Sequence, residues 1–168
     1  MTTDRPDRLV IRDVALIDAT GREPQGRVDV LIERGRITRA GVVGDLADGV
    51  SSIDGSGTTL LPGLTDAHVH FALIGVKGDH GTDPWIMHVL DVSTVIEDAL
   101  QEGFTTVRDA GGLEPAWAQA VAQGKLRGPR ILPAGSPLSQ TGGHADIRQR
   151  HEEVHRGQTI PGLVAGMA

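Results

Sequence analysis

An α/β fold is predicted: a small β segment over residues 1–58, then a strand–helix alternation over 59–168. Three observations predict it. The opening part alternates apolar and polar residues with a period of two, as in VDVLI at Val28 to Ile32. Near Thr59 the alternation gives way to a nearly continuous apolar run, TLLPGLTDAHVHF, as expected of a strand buried on both faces. That run is followed by helical spacing, an apolar strand, a second helix and a third strand, punctuated by proline at starts and glycine at ends.

Leu9 to Ile17 is rich in aliphatic and β-branched residues and reads as the first strand. Val28, Val30 and Ile32 fall on one face of the second. Glu33-Arg34-Gly35-Arg36 forms a turn and Ile37 starts the returning strand, so a hairpin is expected. Gly41 to Gly57 is a turn-rich connection, which completes a small antiparallel unit. After the Thr59 run, Asp83-Pro84 supplies an N-cap and a proline at the first helical position. Ile86, Val89, Ile96 and Leu100 follow at near-helical spacing, and Gly103 closes the helix. Phe104 to Gly112 is a strand with its glycine turn, Glu114 to Gln123 a helix stopped by Gly124, and Arg130 to Ala134 a third strand. Strands joined through helices belong to a parallel sheet. Gly135 to Ala168 reads as a polar loop, a short charged segment and an apolar tail.

Composition narrows the function classes. Asp and Glu total 22 against 16 Lys and Arg, a formal charge of −6, which argues against a nucleic-acid footprint. Among the 168 residues there is no cysteine, so a transition-metal site must draw on His, Asp, Glu or a modified Lys. The N-terminus, MTTDRPDR, leads into no apolar signal region, and no run approaches the ~20 residues of a membrane span. A cytoplasmic protein that binds neither nucleic acid nor membrane is expected.

Two stretches have metal-ligand spacing. HEEVH, at His151 to His155, spells the helical zinc-protease signature. Its flanks are strongly polar, Gly157 would break the helix, and no His, Asp or Glu follows to complete the site. A solvated charged segment is the better reading. DAHVH, at Asp66 to His70, lies at the C-terminal end of a predicted strand. His68 and His70, two residues apart, project to the same side about 6–7 Å apart along the strand. Two imidazoles so placed can grip one cation at ~2.0–2.1 Å each. By spacing alone, packing or capping explains them as well.

The surrounding residues add a family resemblance. GTTLLPGLTDAHVH, with a β unit ahead of it, resembles the amidohydrolase superfamily. GFTTVRDAGG resembles that family's second barrel strand, and GPRILPAGSPLSQTGGHAD its third strand and loop. The TGGH block points to a subgroup related to imidazolonepropionase, some of whose members cleave Xaa-Pro-like dipeptides. The resemblance implies the N-terminal part of a (β/α)8 barrel preceded by a small β-sandwich segment. It implies His68 and His70 as metal ligands and His144 as a substrate contact at the mouth of the site. Asp66 is expected on the same face as the two histidines, in a structural or supporting role, and Asp109 either in support of the metal ligands or, the better reading, as the residue that fixes the glycine turn. His80 and His88 are read as surface or packing residues, and Trp85 and Trp117 as core or interface anchors.

The resemblance further implies a divalent metal, zinc by default, as one or two ions. It implies hydrolysis of amide, peptide or cyclic-amide C–N bonds in a small-molecule or dipeptide-like substrate by a metal-activated water. The family's carboxylated lysine, later histidines and general-base aspartate have no counterpart in this chain; Lys77 and Lys125 match neither position nor context. The barrel is therefore expected to be incomplete here and the chain inactive alone: a partial sequence, a truncated product, or half of a split enzyme completed by a second chain or by self-association. The competing reading is a non-catalytic fragment or assembly module.

Overall fold

The computed structural model describes residues 6–44, 48–73, 84–136 and 138, which fall into two compact units, Met1–Pro62 and Gly63–Ala168. The first unit is a five-stranded sheet built from β1 (Arg8–Leu16), β2 (Gln25–Glu33), β3 (Arg36–Gly41), β4 (Ser51–Asp54) and β5 (Thr59–Leu60). The β2–β3 hairpin turns on Arg34 and Gly35, both at positive φ (50° and 73°). That geometry matches the twist of the flanking strands and suits glycine at the second position. Val10, Val30, Leu31 and Val43 are buried in this unit.

The sheet differs from the expected antiparallel unit. β1–β2 and β2–β3 are antiparallel, but β4 and β5 lie parallel to β1 on its other side. The connection after β3 is long enough to carry the chain back to the start of β1 rather than hairpin into it. Among the described residues this is one mixed sheet rather than two packed layers. The run from Thr59 is also not one strand. Thr59 and Leu60 pair with Ala15 and Leu16, and the next strand begins only at Leu64. Pro62 has no N–H to offer a ladder, so the pairing stops there.

The second unit contains β6 (Leu64–Val69), α1 (Trp85–Gln101), β7 (Phe104–Asp109), α2 (Pro115–Ala122) and β8 (Arg130–Pro133). The three strands form a parallel sheet in the order β6-β7-β8. α1 was expected to bury Ile86, Val89, Ile96 and Leu100. Its buried stripe is instead Val92 and Ile96, flanked by Val95 and Ala99, while Ile86 is exposed. Trp85 stands 76% exposed, whereas Trp117 on α2 packs against the core. The core gathers Phe71, Val92, Ile96, Val107, Leu113 and Ile131. No helix among the described residues is long and apolar enough to cross a membrane.

Two predictions follow from this packing. Ile96→Ala removes a side chain with no exposure from the centre of the second core. It should lower the unfolding free energy by about 3 kcal/mol, read from the urea midpoint at unchanged slope. In the first unit, the Ser56 hydroxyl and backbone N–H both donate to Asp54 and hold its carboxyl below the ordinary value of 3.8. A lowered folded-state pKa stabilises above the unfolded value and ceases to as pH falls through the folded one. Asp54→Asn should therefore reduce Tm at pH 7, and the gap should close as the pH falls through the lowered folded-state pKa, below the ordinary 3.8. A gap that stays constant with pH would contradict this assignment.

Candidate metal site at the end of the first parallel strand

The site is built on a slip in register. Asp66 pairs with Val107 and Val69 with Asp109, so three steps along β6 match two along β7. One extra residue in β6 makes a bulge around Ala67 and His68. Arg108 donates from Nη1 to the Ala67 carbonyl oxygen at 2.8 Å. The bulge exchanges the faces of the strand. Asp66, in register with the buried Val107, lines a cavity of about 360 Å³ beneath α1 together with Val69, Phe71 and Asp98. Val69 packs against that core and Phe71 is buried in it, and the intervening His70 projects away from them with His68. Asp66 thus does not share the histidines' face, contrary to the simple alternation expected above. Its Oδ1 accepts the His68 backbone N–H at 3.0 Å.

His68 and His70 are both exposed, and their Nε2 atoms approach to 3.2 Å with the rings nearly perpendicular, at 78°. Two tetrahedral ligands at ~2.0–2.1 Å from one ion stand about 3.3–3.4 Å apart, so this separation fits a shared cation closely. His70 Nδ1 lies 2.9 Å from the Gly111 carbonyl oxygen. A carbonyl can only accept, so Nδ1 carries a proton, and the neutral tautomer that satisfies this contact has a bare Nε2 toward His68. That is the arrangement of a metal-ligating imidazole whose other nitrogen is held by a backbone carbonyl. Among the described residues no third His, Cys, Asp or Glu joins the pair.

Asp109 ends β7 with no exposure. Its Oδ2 accepts the Phe71 N–H at 2.8 Å, and its Oδ1 accepts the N–H groups of Gly111 (3.0 Å) and Leu113 (3.3 Å). The carboxylate thus fixes the turn after β7 and also anchors the chain just beyond His70. At Gly112, with φ at 105°, a Cβ would press on Leu73, which favours glycine in this turn. The sequence had flagged Asp109 but not the Gly111 carbonyl, since a backbone oxygen leaves no mark in a residue pattern. Arg108 was likewise missed; its signal lay in strand alternation, which turns it away from Val107 and Asp109. His88 is exposed on α1, and Lys125 lies just beyond the end of α2. His80, His144, Lys77 and the HEEVH stretch lie outside the described residues.

Residues 59–168 match the amidohydrolase family, and the chain belongs to that family. The ochratoxinase of Aspergillus niger is 35% identical over 92 residues, 52% of this chain and 19% of that protein. The dihydroorotase of Clostridioides difficile is 28% identical over 99 residues, 59% of this chain and 21% of that one. Among solved structures, a prolidase complexed with N-methylphosphonate-L-proline superposes with a TM-score of 0.79 at 33% identity, over 95% of this chain and 41% of its own. A Xaa-Pro dipeptidase with methionine bound in its active site gives 0.74 at 29% identity, over the same 95% and 41%. The chain spans about a fifth of the length of these curated relatives and about two fifths of these solved chains.

Proposed function

We propose that this chain supplies the first metal ligands of an amidohydrolase acting on C–N bonds of small amide or dipeptide-like substrates. The observation that carries the proposal is the His68–His70 pair, with Nε2 atoms 3.2 Å apart at the C-terminal end of a parallel strand. That is where (β/α)8 barrels carry their chemistry, and β6-α1-β7-α2-β8 is read as the opening of such a barrel. Family membership and the prolidase and dipeptidase likenesses support the reaction class and the substrate class.

His68 and His70 hold the metal through Nε2, and zinc suits a nitrogen donor pair. A divalent ion so bound supplies a Lewis acid that activates water and polarises a substrate carbonyl. The chain's own part is to hold the His70 imidazole in the ligating tautomer, with Gly111 accepting from it, and to turn both rings to one face through the β6 bulge. His144, which follows β8 in the sequence, is the proposed substrate contact.

Zinc binding by competition with a chromophoric chelator tests the pair. His68→Ala and His70→Ala should each weaken binding at least tenfold, since each removes a direct ligand. Equal affinity in wild type and both variants would overturn the assignment. Xaa-Pro dipeptides and N-acyl amino acids are the substrates to assay. With the barrel completed by its remaining strands, turnover should fall when the metal is stripped and return with zinc, and His144→Ala should raise KM more than it lowers kcat. Turnover indifferent to chelation would reject the metal-dependent reading.

A further inference from the structure

We propose that Asp109 is a positioning residue for His70: its carboxylate sets the tautomer and heading of that imidazole through the Gly111 turn. The consequence for metal binding rests on the function proposed above; the geometry does not.

The argument starts from what the carboxylate touches. Asp109 is completely buried, and its recorded partners are three backbone N–H groups. Two belong to the turn after β7 and one to the chain after β6. A single side chain therefore joins the ends of two strands. A buried carboxylate is costly unless every oxygen is satisfied, so neither end can move without exposing an unmet acceptor. Gly111 is the hinge of the arrangement. Its N–H donates to Asp109 while its carbonyl accepts from His70 Nδ1. The N–H groups of Gly111 and Leu113, both held by Asp109, flank the Gly111–Gly112 peptide that carries this carbonyl and so help aim it. The carbonyl in turn demands a proton on His70 Nδ1 and leaves Nε2 bare. The second attachment, Phe71 N–H to Asp109 Oδ2, sets the backbone immediately after His70. Ring and backbone of the same residue are thus held from one buried group, and the exposed imidazole is positioned without packing around it.

A merely structural Asp109 would stabilise the turn and nothing else, so the test separates the two roles. Long-range ¹H–¹⁵N spectra of zinc-free, ¹⁵N-labelled protein at about pH 8, where an ordinary imidazole is neutral, report which His70 nitrogen carries the proton. Wild type should show Nδ1–H. Asp109→Ala should shift His70 toward Nε2–H and weaken zinc binding by roughly 10- to 100-fold. Ile96→Ala, which loses stability in the same core but removes none of the hydrogen bonds of the turn, should keep both the Nδ1–H signature and the affinity. Asp109→Asn is the second variant if the alanine form does not fold. Its carboxamide retains one acceptor oxygen and offers the opposing N–H groups a donor, so it should give a mixed tautomer and intermediate affinity. The proposal is overturned if wild-type His70 carries its proton on Nε2. It is equally overturned if the folded Asp109 variants keep the wild-type tautomer. Absence of zinc binding in the wild type would instead reject the metal reading and leave the tautomer result to decide the role of Asp109.

Discussion

The register slip between β6 and β7 is the constraint on which the candidate site depends. Without it, strict alternation would place Asp66, His68 and His70 on one face and Val69 on the other, with Val69 lost to the core. With one extra residue in β6, Asp66 and Val69 can both serve the α1 side while the two imidazoles meet on the opposite side. A bulge costs ladder hydrogen bonds, and two groups offset that loss. Arg108 donates to the Ala67 carbonyl, and Asp66 accepts from the His68 N–H. The bulge is therefore stabilised by side chains from both strands, one on each face of the sheet.

Energetically the site divides into a dry half and a wet half. Asp109, Val107, Leu113 and Phe71 are buried, and polar groups there must be paired within the protein. His68 and His70 stand in water, where a hydrogen bond nets only about 1 kcal/mol and could not hold a ring by itself. Rigidity must be delivered from the dry side. Gly111 crosses between the two, with its N–H directed to the buried carboxylate and its carbonyl to the exposed ring. Separating support from contact in this way leaves the ligating nitrogens open while their supporting partners are fixed.

Much of this was readable before any coordinates, and the failures share a cause. The parallel βαβαβ order followed from apolar runs broken by Pro84, Gly103 and Gly124, because punctuation and periodicity are local. The histidine pair followed from two-residue spacing at a strand end. What misled was non-local. The split at Pro62 depends on Thr59 and Leu60 finding β1 some 45 residues earlier, as the pairing of Ala15 with Thr59 shows. The parallel placement of β4 beside β1 is likewise a tertiary choice that no strand pattern encodes. The buried stripe of α1 moved from Ile86 and Leu100 to Val92, Val95 and Ala99 because the small and β-branched residues meet the sheet. Asp66 was misplaced because alternation counts residues and cannot see an insertion in the ladder.

The same sheet carries a further physical demand. Parallel sheets are stable when both faces are covered. Here α1 and α2 cover the face of Val107 and Ile131. Arg108 and Leu132 are register partners on the other face, where Leu132 is 47% exposed. In the proposed barrel that face turns inward, and coverage would act on the chemistry as well as on stability. Excluding water strengthens each charge interaction around a bound cation and a polarised carbonyl. A two-imidazole site also gains from any further donor brought to it, since catalytic zinc usually has three protein ligands. The elements described here would then contribute alignment, with a bulge to turn the rings and a buried carboxylate to hold that of His70. The closing face would contribute the low dielectric and the remaining ligands, so the histidines' exposure in the open sheet and their role in the closed barrel are two aspects of one arrangement.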